Sequence, residues 1–337
     1  MTRVPRLIAE MPKTELHVHL EGTLTLARVQ ALAAETGAAP PRPYAELFQV
    51  RSLAEFLATL DWMCGLVRHE AHVRAIARDF LAYAEQQKLM YVELIVNPGH
   101  WQLSFDELFE PLAAEFDVAA TSGGPDVRLL PSMGRDDSAE AALTLAHWCV
   151  DAALPRIAGL SIDGDERAGS YNERFAPAFA HARAHGLPGT AHAGESSGAI
   201  GVAEALDVLG VQRIDHGVRA VEDRAIVERL VAERVTLNVC VSSNCALVYP
   251  HRDAHPLPAL LAAGVACTLN TDDPVVLDLS LNEELSGVAE HFGWALEEVV
   301  RCQSRALDAA FCDETTRAGL RQRFDAWAAT VQTGEIV

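Results

Sequence analysis

Hydrophobic positions along this chain fall into short runs separated by longer stretches of helical period. Eight runs, at 15–20, 91–97, 127–133, 157–162, 189–192, 213–215, 235–240 and 267–270, read as strands. The stretches between them, at 24–36, 72–87, 105–121, 138–152, 172–185, 201–209, 223–233 and 256–263, read as helices. Strict alternation of eight strands with helices predicts an α/β fold, a closed (β/α)8 TIM barrel. Runs such as Val92-Glu93-Leu94-Ile95-Val96 suit a parallel strand buried on both faces. Segment 40–66 interrupts the rhythm. A stiff Ala39-Pro40-Pro41-Arg42-Pro43 turn leads into Leu53, Phe56, Leu57 and Leu60 at helical spacing. That pattern reads either as an ordinary helix packed on the barrel or as a lid over its C-terminal mouth. Only helices follow from residue 285. No linker or internal repeat divides the chain, so one barrel domain over 1–337 is expected.

In such a barrel the chemistry collects at the C-terminal ends of the strands, so polar groups should follow the apolar runs. They do. The first run ends in His17-Val18-His19-Leu20-Glu21-Gly22, the fourth in Asp163-Gly164-Asp165-Glu166 and the fifth in His192-Ala193-Gly194-Glu195. The sixth ends in Asp215-His216-Gly217, the seventh in Cys240-Val241-Ser242-Ser243-Asn244 and the eighth in Asn270-Thr271-Asp272-Asp273-Pro274. Strand alternation puts His17 and His19 on one face, with Leu16, Val18 and Leu20 on the other. Gly22 then breaks the strand and opens the site. Each motif alone has a plain structural explanation: a satisfied core histidine, a helix cap, a strand-end ion pair, a turn. Their gathering on one rim is what points to a site. Several histidines with a carboxylate suit Zn²⁺ or another divalent ion, which acidifies a bound water, and a nearby Glu can then move a proton.

Composition narrows the partners. A formal net charge of −20 disfavours nucleic acid, whose phosphates demand Lys and Arg. No apolar run is long enough for a membrane span, and the N-terminus lacks the apolar core of a signal peptide. Seven cysteines without a Cys-x-x-Cys pair suit a reducing cytoplasm and argue against a cysteine zinc site or a disulfide framework. A cytoplasmic location is therefore expected. The oligomeric state is not legible.

The segment from Pro12 to Thr23, together with His192-Ala193-Gly194-Glu195, Asp215-His216-Gly217, Ser243-Asn244 and Asn270-Thr271-Asp272-Asp273-Pro274, resembles the adenosine/adenine deaminase family of the metal-dependent amidohydrolase superfamily. The resemblance runs in family order along nearly the whole chain. It implies one zinc ion held by His17, His19, His192 and Asp272. It implies a water, held by His216 and Asp272, that attacks C6 of a 6-aminopurine. It further implies that Glu195 protonates N1, that Asp273 bonds N7 and that the Gly164 amide meets N3. Gly164-Asp165-Glu166 resembles the nucleoside-type enzymes and places adenosine first, converted to inosine and ammonia. Glu21 stands where adenosine deaminases carry an Asp that contacts the 5′-hydroxyl. Adenine, or a modified nucleoside such as aminodeoxyfutalosine, is the alternative substrate, and hydrolysis by another metal-dependent amidohydrolase is a more remote one.

Overall fold

The computed structural model describes residues 3–49, 52–167 and 172–333. Eight strands are present: β1 Lys13–His19, β2 Leu89–Val96, β3 Asp126–Gly134, β4 Ser161–Asp163, β5 Thr190–Ala193, β6 Arg213–His216, β7 Thr236–Val239 and β8 Ala266–Leu269. They pair in parallel as two four-stranded halves, β1 to β4 and β5 to β8. A bridge between Leu160 and Gly189 joins the halves, and one between Val18 and Asp272 closes the barrel. Every residue of β1 and β2 is buried, as parallel strands covered by helices require.

The β8–β1 seam is closed largely by side chains. Asn270 Oδ1 accepts the Leu16 amide at 2.9 Å, and Glu15 Oε1 accepts the amide and hydroxyl of Thr271 at 2.9 and 2.7 Å. Farther up, the His19 amide donates to Asp272 O at 2.8 Å and the Asp272 amide to His17 O at 3.2 Å. The β1–β2 register shifts between Glu15 and Val18, so His17 sits in an irregularity of the kind that re-aims side chains beside sites.

The helix expected within 40–66 spans Leu53–Cys64, opened by Ser52, whose hydroxyl accepts the Glu55 amide at 3.2 Å. Its Leu53, Phe56, Leu57 and Leu60 lie over the C-terminal mouth, in the lid position. Residues 50 and 51 of that segment lie outside the described residues. Three helices, Leu281–Phe292, Leu296–Ala309 and Glu314–Thr333, follow β8.

Two elements differ from expectation. Run 157–162 yields a strand only from Ser161; before it Ile157 and Leu160 make isolated bridges to Leu129 and Gly189. A helix at Arg3–Glu10, absent from the expected elements, caps the far end of the barrel with Leu7 and Ile8 buried; the Lys13 ammonium fastens it by donating to Ile8 O and Met11 O at 2.8 and 2.7 Å. At that same end the buried Arg213 pairs with Glu93 and lies 3.5 Å over the Phe311 ring.

Candidate active site

His17 and His19 do share a face at the top of β1, with ring centroids 5.3 Å apart. His192 rises beside them from β5, 4.6 Å from the His17 ring, and His216 from β6, also 4.6 Å from it. Alternation would send Asp215 and His216 to opposite sides of β6, yet both reach the site. His216 manages this with φ +62°, and Asp272, beside Asp273, with φ +70°. Neither is glycine, so both hold strained left-handed backbone at the point where ligating side chains converge.

The donor atoms converge closely. His17, His192, His216 and Asp272 each present one ligand atom, all within 4.8 Å of one another. His19 Nε2 stands at the edge of the group, 3.1 Å from His192 Nε2 and 3.4 Å from Asp272 Oδ1. Imidazole nitrogens facing one another this closely require a shared proton or a shared cation. Burial disfavours charge on His17, but the Asp215 and Asp272 carboxylates outweigh it and push it up to about 10. Burial, then the charge on His17, pushes His216 down to about 4 and His192 well below the usual imidazole range. Among His17, His192 and His216 the positive charge is thus concentrated on His17, where a divalent ion would replace it.

Behind the ligand atoms Asp215, fully buried, lies 3.4 Å from His17 Nδ1 and 3.7 Å from His192 Nδ1. Neither nitrogen has another partner among the described residues. A carboxylate behind ligating histidines fixes which nitrogen faces the metal. Asn238 Nδ2 donates to Asp215 at 2.8 Å and holds it there. Ser243 Oγ donates to Asp272 Oδ2 at 2.6 Å, and Asn244 bonds His216 Nδ1 at 3.0 Å. On these observations the residues present fit a divalent metal.

Glu195 follows β5 on a loop shaped by one carboxylate. Glu166 Oε1 accepts the Glu195 and Ser196 amides at 2.8 and 2.7 Å, and Oε2 accepts the Gly194 amide at 2.8 Å and the Ser197 hydroxyl. So held, Glu195 enters the cavity, with Oε1 3.6 Å from His216 Nε2. Burial, followed by the Asp272 and Glu166 charges, holds it well above the usual carboxylate range, which suits an acid. Asp273 is also pushed well up, first by burial and then by Asp272 and Glu21. It approaches β1 closely enough that a Cβ on Gly22 would lie 2.1 Å from Asp273 Oδ1. Gly22 therefore makes room for Asp273; the strand itself already ends at His19, and Gly22 lies in the 3-10 turn Glu21–Thr23 that follows.

The cavity is lined by the lid leucines, Phe56, His19, His192, His216, Glu195, Asp272, Asp273, His100, Asp163 and Gly164. Gly164 has φ +93°, a conformation open to glycine, at the turn that carries its amide. Glu21 is placed differently from the other expected site residues. It lies outside the lining, buried, with Oε1 accepting the Asn97 amide at 2.9 Å and Trp101 Nε1 at 2.8 Å. Burial pushes its carboxyl up.

Sequence reasoning missed Trp101 and Asn97, the Glu166 cradle and the second rank of Asp215 and Asn238. Pro98-Gly99-His100-Trp101 follows β2 on the same rim, so the strand-end rule could have found Trp101. The partners of Glu166 and Asp215 lie on other strands, and no local pattern marks them.

The family model described as Adenosine deaminase matches residues 12–327. The chain is 37% identical over 322 residues to an adenine deaminase of Sinorhizobium medicae (strain WSM419), covering 93% of this chain and 98% of that protein. The structure resembles that of an adenine deaminase from Arthrobacter aurescens, with TM-score 0.89, 28% identity, and 95% of this chain and 99% of that one covered. It resembles equally, at TM-score 0.89 and 25% identity, an amidohydrolase from Burkhoderia ambifaria with bound Zn, covering 99% and 96% of the two chains.

Proposed function

The chain belongs to the adenosine deaminase family, and from that premise we propose that it converts free adenine to hypoxanthine and ammonia with one bound zinc ion. Hydrolytic deamination of a 6-aminopurine comes with the family. No helix among the described residues is long and apolar enough to cross a membrane. The sequence favours adenosine; two findings move the choice to the free base. Two of the three relatives reported above, from Sinorhizobium medicae and Arthrobacter aurescens, are adenine deaminases. The observation that carries the choice is Glu21, whose carboxyl is engaged by Asn97 and Trp101 in the wall instead of lining the cavity. The group that would greet a ribose 5′-hydroxyl is thereby withdrawn.

In the proposed mechanism His17, His19, His192 and Asp272 hold the metal. A divalent ion bound there supplies acidification of a water toward neutral pH. His216 and Asp272 orient that water and accept its proton as its oxygen bonds C6. Attack breaks the aromaticity of the ring and places electrons on N1, where Glu195 delivers a proton. Asp273 donates to the N7 lone pair, and the Gly164 amide donates to N3. The C6–N bond then breaks, the amino group leaves as ammonia with the proton relayed from water, the remaining hydroxyl proton restores Glu195, and a 6-oxopurine remains. The lid leucines and Phe56 exclude bulk water from above.

A nucleoside is the second reading, favoured by a recess of about 300 Å³ that opens beside Gly164 and could receive a sugar. The test is turnover of adenine, adenosine and aminodeoxyfutalosine by metal-loaded protein, followed by ammonia release, with metal measured on the same sample. Adenine is expected to lead, with one zinc per chain. Faster adenosine turnover would reinstate the nucleoside, and no turnover of any 6-aminopurine would end the proposal.

A further inference from the structure

We propose that Asp163 accepts the N9 proton of the purine and thereby selects the free base over 9-substituted purines. The inference rests on the pose above, with the N3 edge on the Gly164 amide. N3 and N9 are both bonded to C4, so the group that meets N9 must stand beside the group that meets N3. Asp163 immediately precedes Gly164, at the end of β4, and lines the cavity.

The state of its carboxyl is the decisive observation. Oδ1 is taken by Asn97 Nδ2 at 2.7 Å, and Asn97 is itself fixed because its Oδ1 accepts the Gly99 amide at 2.9 Å. Oδ2 is buried without a hydrogen-bond partner among the described residues, in a side chain only 6% exposed. A buried acceptor without a donor is costly, so a ligand that brings a donor gains what the protein alone lacks. In the N9–H tautomer of adenine, N1, N3 and N7 carry lone pairs, and N9–H is the only ring N–H. Glu195 and Asp273 are committed to N1 and N7. Glu21 also has an unpartnered oxygen, but it does not line the cavity.

Position strengthens the assignment. Leu57, His100, Asp163 and Gly164 line both the cavity and the recess beside it. A substituent on N9 must leave along this junction. It would remove the proton that Asp163 accepts and press against the carboxyl in its place. Sites built to bond a substrate N–H reject analogues that lack it far more strongly than apolar pockets reject an extra methyl group.

The test compares adenine with 9-methyladenine on zinc-loaded wild type, Asp163→Ala and Asp163→Asn. Wild type is expected to favour adenine in kcat/KM by about 100-fold. Asp163→Ala should lower adenine by at least about tenfold while 9-methyladenine holds or improves, so the preference shrinks. A purely structural role would lower both substrates together and leave their ratio unchanged, which would overturn the proposal. If the variants fold poorly, product binding to wild type decides: hypoxanthine should bind at least about tenfold more tightly than 9-methylhypoxanthine, and equal binding overturns the assignment. Wild type that deaminates adenosine but shows no preference for N9–H sinks this inference alone. Wild type that deaminates no 6-aminopurine sinks the proposed function beneath it.

Discussion

Glu166 is the carboxylate on which the placement of Glu195 depends, and Glu166→Gln isolates that role. The wild-type side chain receives three successive amides, from Gly194, Glu195 and Ser196, and the Ser197 hydroxyl. A Gln of the same shape can keep its carbonyl oxygen on the Glu195 and Ser196 amides. Its NH2 then faces the Gly194 amide, and a donor meets a donor. The Ser197 hydroxyl can rotate to accept, so one amide bond is lost outright and the two survivors lose their charge assistance. A hydrogen bond to a charged group is worth about 1.5–3 kcal/mol and a neutral one about 1. The cradle therefore weakens by at least about 2.5 kcal/mol. At about 1.4 kcal/mol per factor of ten, the fraction of molecules with Glu195 aligned falls by at least about 60-fold. The assay is steady-state adenine turnover with zinc content and melting temperature recorded on the same preparations. The loss should fall on kcat more than KM, zinc should stay near one per chain, and Glu166→Asp should recover part of the rate. A kcat/KM within threefold of wild type would refute the reasoning. Activity falling in step with zinc would show that the effect runs through His192 instead.

Gly22→Ala forces a methyl group onto Asp273, and overpacking of this kind costs about 1–3 kcal/mol; a lower melting temperature and lost turnover are expected, and an unperturbed melt with full activity would contradict the close approach. Chelation should abolish turnover and lower the melting temperature, and zinc should restore both, because an ion that binds only the folded state stabilises it by mass action. Arg213→Ala leaves the buried Glu93 carboxylate without its cation at the opposite end of the barrel. A stability loss of about 3–5 kcal/mol in chemical denaturation is expected, with kcat of the folded fraction near wild type; a collapse of kcat without loss of stability would contradict this division.

Which parts were legible in the sequence follows from the range of the interactions involved. All eight strands could be read because a parallel strand covered on both sides must be a short apolar run, and that is a local property. The strand-end residues could be read for the same reason: barrel geometry sends chemistry to one rim, so His17, His19, His192, His216 and Asp272 announced themselves by position. The Arg3–Glu10 helix was missed although Leu7, Ile8 and Met11 pack in the core, because it precedes the first strand and lies outside the strand–helix alternation.

By itself, then, the sequence determined the barrel, its eight strands and the residues that share its mouth. Only the tertiary structure decided what those residues touch. Trp101 and Asn97 claim Glu21 across a separation of 80 and 76 residues. Glu166 gathers the Glu195 loop from 29 residues away. Asn97 takes one oxygen of Asp163 from across two strands and leaves the other buried without a partner among the described residues. Such partnerships depend on how strands are ordered around a closed sheet, and no local period records that order.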